Sequence, residues 1–272
     1  MITLEQLQAG IVLPVDKPRQ WTSFQAVNKI KAVVRNTYGL KKFKIGHAGT
    51  LDPLATGLLL VCLGKATKSI PQLQDGDKVY TGTMILGATT PCYDLERPVD
   101  HYYPYEHITP ALLEQTLPLF TGTILQVPPM FSAVKVDGQR AYEYARTDDP
   151  NVTIQPKPVT VYSFEITDFR PGSQNTLIIQ NNQITQNNQI IPTRNLYQTP
   201  LGEVPMHLPQ ADFRIRCGKG TYIRSLARDL GLALGSGAFL SALRREQVGD
   251  YTIDKALQLD EIEHYLHFFS SN

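Results

Sequence analysis

A carboxylate and an imidazole lie five residues apart in a stretch built to display side chains. In Gly46-His47-Ala48-Gly49-Thr50-Leu51-Asp52-Pro53-Leu54-Ala55-Thr56-Gly57, Asp52 sits in a turn bracketed by three glycines. The following proline biases Asp52 toward extended or turn conformations. Gly46, Gly49 and Gly57 allow backbone approaches that a Cβ would forbid. Leu58 to Leu63 is short, apolar and uncharged, and reads as a buried strand. An acid on a shaped loop beside a core strand is how a scaffold presents a nucleophile or a proton-transfer group. The same residues also suit a turn aspartate that hydrogen-bonds its own backbone ahead of proline. His47 is open between contact with a ligand and a structural role.

Other chemistries lack their signatures. Cys62, Cys92 and Cys217 are odd in number, far apart and never in a Cys-x-x-Cys pair, which points to a reducing compartment and away from zinc. Gly218-Lys219-Gly220-Thr221 breaks the Gly-Lys-Ser/Thr order of a phosphate loop, so nucleotide triphosphate binding is not expected. No cofactor and no metal are expected. No window approaches eighteen uninterrupted apolar residues, and Met1-Ile2-Thr3-Leu4-Glu5 lacks the basic start of a signal peptide. The expected location is the cytoplasm, away from membranes.

Net charge is only +1, so distribution carries the information. From Asp16 to Lys44 eight cations (Lys17, Arg19, Lys29, Lys31, Arg35, Lys41, Lys42 and Lys44) face one acid. Arg214, Arg216, Lys219, Arg224 and Arg228 make a second acid-free stretch, while Asp94, Glu96, Asp100 and Glu106 gather elsewhere. Such asymmetry fits a basic face for a phosphate backbone. Solvated helix faces give the same pattern.

The elements that must position these groups follow from periodicity. Gly10 to Val15 reads as a strand leading into Asp16-Lys17-Pro18. Thr22 and Gln25 form a capping-box pattern, and a helix from about Ser23 to Arg35 follows with Phe24, Val27, Ile30 and Val34 as its apolar stripe. Asp77 to Gly87 reads as a strand with Tyr80 near its start. Thr109 to Phe120 has a helix start with an early proline and Leu112, Leu113 and Leu117 on one stripe. Gln126 to Gly138 predicts two strands broken by prolines and closed by Asp137-Gly138, and Arg140 to Arg146 a helix. Lys135, Arg140 and Arg146 are either RNA contacts or solvated surface. The repeat of Gln180-Asn181-Asn182-Gln183-Ile184 in Gln186-Asn187-Asn188-Gln189-Ile190 marks a surface insertion at about 175–209, partly hairpin and partly mobile. Phe213 to Cys217 alternates like a strand. Thr221 opens a helix with Ile223, Leu226, Leu230 and Leu234 facing the core and Arg224 off that stripe, pointing toward a site.

The run Gly46 to Leu59, Gly-His-Ala-Gly-Thr-Leu-Asp-Pro-Leu-Ala-Thr-Gly-Leu-Leu, resembles the signature of the bacterial tRNA pseudouridine synthase B family. Ala88 to Asp94, Arg140 to Arg146, Gly220-Thr221-Tyr222-Ile223-Arg224 and Gly235 to Arg245 also resemble the family, and the likeness runs from about Gly10 to Leu266. It implies an isomerase that converts uridine to pseudouridine in the T loop of tRNA, at position 55. Asp52 would be the nucleophile on a flipped-out uridine, Arg224 its ionic partner, and Tyr80 the aromatic platform under the base. His47, Lys17, Tyr222 and Leu243 would contact substrate; for Leu243 packing in a helix is the alternative, and for Tyr80 core packing in a strand. Two features depart from the family pattern. Cys92-Tyr93 is unusual, with Asp94 suited to a structural turn, and Gln20 stands where the family has a glycine, so a turn the glycine would allow must be made differently.

The resemblance implies an α+β pseudouridine synthase fold, a mixed and mostly antiparallel central sheet flanked by helices. The expected division is a catalytic domain over residues 1–266, a tail at 267–272, and no C-terminal RNA-binding domain. The partner would be the T arm of tRNA, bound by a monomer. Two rivals use similar residues: a non-catalytic tRNA-folding chaperone with the same basic face, and a glycosylase that releases free uracil.

Overall fold

A computed structural model describes residues 2–132, 134–136, 138–145, 153–172, 178–180, 183–186, 189–191 and 208–267. In chain order its principal elements are α1 (Leu4–Ala9), β1 (Ile11–Lys17), α2 (Ser23–Tyr38), β2 (Ile45–His47), β3 (Thr56–Leu63), β4 (Lys78–Leu86), α3 (Pro110–Thr116), β5 (Gly122–Gln126), β6 (Lys157–Arg170), β7 (Gln210–Cys217), α4 (Ile223–Ala233), β8 (Ala238–Val248), β9 (Leu257–Gln258) and α5 (Glu261–His267). The architecture is α+β, as expected. The chain forms two compact units, one of residues 1–81 and 243–272 and the other of residues 82–242. No helix among the described residues is long and apolar enough to cross a membrane.

The first unit is built around β3. Leu58 to Leu63 are each fully buried, because the run carries no polar side chain to turn outward. On one side β1 pairs antiparallel with it, from Ile11 opposite Leu63 to Lys17 opposite Gly57. On the other side β2 pairs antiparallel with its end, and β8 pairs parallel with its start, Arg245 opposite Gly57. The strand β9 adds parallel to β1. Thr22 and Gln25 make the reciprocal capping box that the sequence announces, and α2 runs on to Tyr38 with Gly39 in the left-handed conformation at its end. Its buried face is Ser23, Ala26, Val27, Ile30 and Val34, packed against α5. Phe24 departs from expectation and is 68% exposed.

In the second unit β4, β7, β6 and β5 are neighbours in that order. β6 pairs antiparallel with β5 and with β7, with register shifts between Val161 and Ser163 and between Ile166 and Asp168. Thr109 caps α3. Lys135–Val136 and Gln139–Arg140 pair antiparallel, as the Asp-Gly signal predicts, with Asp137 itself outside the described residues. A helix covers Ala141–Ala145, and Arg146 lies outside the described residues. Of the insertion, strands Ile178–Gln180, Gln183–Gln186 and Gln189–Ile191 form a small antiparallel sheet; most of its other positions, and the tail 268–272, lie outside the described residues.

Candidate active site

The first unit carries the acid. The loop from Ala48 to Ala55 is tied down along its backbone. Ala48 N–H donates to the Leu60 carbonyl at 2.9 Å. Leu51 N–H donates to Ser23 Oγ at 2.9 Å, and the same hydroxyl donates back to the Leu51 carbonyl at 3.2 Å. Gln20 N–H donates to the Pro53 carbonyl at 2.8 Å, and Ala55 N–H closes a turn on the Asp52 carbonyl at 3.1 Å. Asp52 is half-buried at its centre.

Two buried cations complete the mounting. Arg245, 1% exposed, donates Nε to the Leu58 carbonyl at 2.8 Å, Nη2 to Gly49 at 3.1 Å and Nη1 to Thr50 at 3.4 Å. Lys17 Nζ donates to the carbonyls of Trp21 at 2.7 Å, Pro18 at 3.0 Å and Pro53 at 3.3 Å. Sequence reading places Lys17 among the substrate contacts, yet its side chain is wholly buried and spent on carbonyls of its own unit. Burial pushes the Lys17 ammonium down to about 8; the negative charge of Asp52 acts against that shift, Arg245 adds to it, and Asp16 opposes it. Arg245 is the residue the sequence did not single out, since nothing in its spacing separates an arginine turned inward from a solvated one.

Two backbone positions explain the local residue choice. Gly57 has φ +100°, and an added Cβ would lie 2.4 Å from the Arg245 carbonyl oxygen, so the parallel strands can approach only with glycine there. Gln20 has φ +67°. The turn was expected to be made differently without glycine; instead Gln20 adopts the left-handed conformation itself, and its N–H reaches Pro53.

His47 ends β2. Its Nδ1 is buried with no hydrogen bond of normal geometry. Burial holds its pKa below the usual imidazole value, the Gly49 backbone opposing and Arg245 reinforcing the shift, so the ring is neutral at pH 7. Tyr80 lies in β4 and is 9% exposed. Leu243 stands half-buried in β8, a strand and not the helix weighed as its alternative setting, and its carbonyl accepts from Thr56 Oγ1 at 3.5 Å.

The second unit carries the guanidinium. Arg224 lies in the first turn of α4 and is 5% exposed, whereas the sequence placed it off the buried stripe. Its Nη1 donates to the Cys92 carbonyl at 3.1 Å and Nη2 to the Phe131 carbonyl at 2.9 Å, with Nε 3.7 Å from Asp94. Asp94, 5% exposed, also accepts from Glu96 N–H at 2.9 Å. Tyr222 precedes α4, and its backbone N–H and carbonyl are both bonded by the side chain of buried Gln126. Ser225 Oγ and Arg228 Nη2 hold the Val127 carbonyl at 2.8 and 3.0 Å. The start of α4 is therefore fixed to Gln126, Val127 and Phe131 by backbone and side chain alike. Cys62, Cys92 and Cys217 are buried and form no disulfide, and no group of three metal-ligating side chains converges among the described residues. Of the candidate residues, the first unit thus carries the Asp52 carboxylate, the His47 imidazole and Tyr80, and the second the Arg224 guanidinium and Tyr222.

Comparison with known proteins agrees along most of the chain. A model of the TruB family pseudouridylate synthase N-terminal domain matches residues 35–187, and a model of the tRNA pseudouridylate synthase B C-terminal domain matches residues 224–272. The tRNA pseudouridine synthase B of Flavobacterium johnsoniae is 46% identical over 97% of this chain and 100% of its own length. That of Phocaeicola vulgatus is 44% identical over 94% of this chain and 93% of its own. A crystal structure of a Cbf5-Nop10-Gar1 complex contains a chain similar in fold, with TM-score 0.61 and 27% identity over 97% of this chain; the match spans 56% of that longer chain.

Proposed function

Because the chain belongs to the TruB family of pseudouridine synthases, and is therefore an isomerase, we propose that it converts uridine to pseudouridine in the T loop of tRNA. The reaction breaks the glycosidic C–N bond, turns the uracil and rejoins it through a ring carbon, whose proton is then lost while the freed nitrogen is protonated. No redox change and no group donor are needed. The demand falls on a nucleophile and on a site that takes the base out of its stack.

Asp52 is the nucleophile in this reading. Its support is the mounting of its loop on Gln20, Lys17, Ser23 and Arg245, the observation that carries the proposal. A carboxylate held in place approaches the flipped nucleotide without the entropy cost of ordering a mobile loop. Arg224 pairs with Asp52, its plane oriented by Asp94, Cys92 and Phe131. Tyr80 stacks on the uracil and assists proton removal. His47, neutral near pH 7, fits against neighbouring bases in the space the uridine leaves. Tyr222 and Leu243 line the base. Lys17 serves by holding Pro53 rather than by touching RNA.

The test incubates the protein and an Asp52→Ala variant with unmodified tRNA transcript and maps pseudouridine by nucleoside analysis. T-loop pseudouridine from the wild type alone is expected. Refolding of tRNA by both proteins with no modification would establish the chaperone instead, and release of free uracil the glycosylase.

A further inference from the structure

The N-terminus of α2 is tied to the Asp52 loop through Ser23 and Leu51, and its far end meets the segment from Leu40 to Lys44. Between them lies a groove of about 380 Å³, walled by Asn28, Lys31, Arg35 and Lys41 over Leu40 and Phe43. Lys31, Arg35 and Lys41 are all exposed. Among the described residues none of the three has a carboxylate or any other hydrogen-bond partner. That sets them apart from Arg170, Arg228 and Arg244, each of which has a carboxylate within salt-bridge distance. Three cations without a direct partner among the described residues, set around one concavity, create a positive potential there. The apolar floor adds a surface that an inorganic anion does not use and a ribose face does.

The groove's distance from the acid fixes which part of a substrate it meets. At 1.5 Å per residue, Lys31 and Arg35 lie roughly 12 and 18 Å from Ser23 along the helix axis. The target nucleotide at Asp52 does not extend that far. We infer that this groove docks the sugar–phosphate backbone of the RNA stem next to the target loop, an inference that rests on the proposed RNA substrate. The contact is one of charge and shape, without base readout.

The test compares the wild type, a Lys31→Gln/Arg35→Gln/Lys41→Gln variant and a Lys255→Gln control. Lys255 is an exposed lysine outside the groove. Affinities for a tRNA transcript and for its excised T-arm stem-loop are measured by fluorescence anisotropy across a range of salt, alongside the rate of pseudouridine formation at saturating RNA. The triple variant should bind both RNAs several-fold more weakly. Its salt slope should be shallower by about 2, three lost charges at ~0.7–0.9 each, with the saturating rate unchanged and the control like wild type. Equal affinity and slope in triple variant and wild type overturn the inference, and so does weakening confined to full-length tRNA. If the wild type makes no pseudouridine while binding still depends on the groove, the substrate reading fails and the groove stands.

Discussion

Arg245 Nη2 donates to the carbonyl of Gly49 at 3.1 Å, joining a strand near one end of the chain to the loop that carries Asp52 near the other. The same guanidinium holds Thr50 just before the acid and Leu58 just after the loop, so one side chain sets the span of the turn. A planar fork with five donors can make that bridge; a lysine, with a single point charge, cannot. Arg245→Met should lower stability by at least about 1.5–3 kcal/mol, the range for losing one hydrogen bond to a charged group. Turnover should fall more than substrate affinity, since the loop relaxes while the RNA-binding surface remains. Arg245→Lys should lie between, restoring charge but not reach. Urea denaturation and steady-state kinetics on tRNA transcript distinguish these outcomes.

Gln20 is exposed and left-handed, so its backbone matters more than its side chain. Gln20→Gly removes a left-handed penalty of roughly 1–2 kcal/mol and adds roughly 0.5–1 kcal/mol of unfolded-state entropy. The net expectation is a gain of up to about 1.5 kcal/mol. Gln20→Val should cost more than 1 kcal/mol, because a branched Cβ tolerates this region poorly. Equal denaturation midpoints for the three proteins would falsify this account of the turn.

Lys17 gives a pH signature. Its folded pKa of about 8 lies below its ordinary value, so between the two the unfolded chain binds more protons than the folded one. Over that window Lys17 favours folding increasingly as pH rises. Below about pH 8 both states are protonated and the burial cost is felt in full. Lys17→Met, which leaves the Trp21, Pro18 and Pro53 carbonyls without this donor, should be less stable than wild type throughout. The gap in melting temperature between the two should widen from pH 7.5 to 10. Taking the difference removes the opposing effect of the Cys62 and Cys92 thiols, which burial pushes up to about 11 and about 12. A gap that is constant or narrowing across this range would show that Lys17 keeps an ordinary pKa.

What was legible in the sequence was what local chemistry decides. The Thr22–Gln25 capping box, the uncharged run of β3 and the alternation of Phe213 to Cys217 each state their structure within a few residues. Phe24 misled because periodicity blurs at a stripe's edge. At about 100° per residue it lies roughly 100° from Ser23, while Val27, Ile30 and Val34 cluster within about 40° of it. For Arg224 the spacing indicated a place off the apolar stripe, pointing toward a site, but not the partners that hold it, because Cys92, Asp94 and Phe131 are about a hundred residues away in sequence. The glycine exchange at position 20 was visible, but not its outcome, because which conformation a turn keeps is settled by what the backbone must reach, here Pro53. Arg245 was hidden because its acceptors, Gly49, Thr50 and Leu58, are almost two hundred residues away in sequence.

The parallel pairing of Gly57 with Arg245 also constrains when, during synthesis, the molecule can acquire its chemistry. On a ribosome the Asp52 loop emerges early, yet the strand that braces it follows almost two hundred residues later. Until then Leu58 and its neighbours have β1 on one side and, at their start, no β8 on the other. A nascent chain should therefore pass most of its elongation with an apolar strand edge unmet, a natural client for a chaperone. Catalytic competence should arrive late and all at once, when the C-terminal segment docks and closes a contact of long sequence separation.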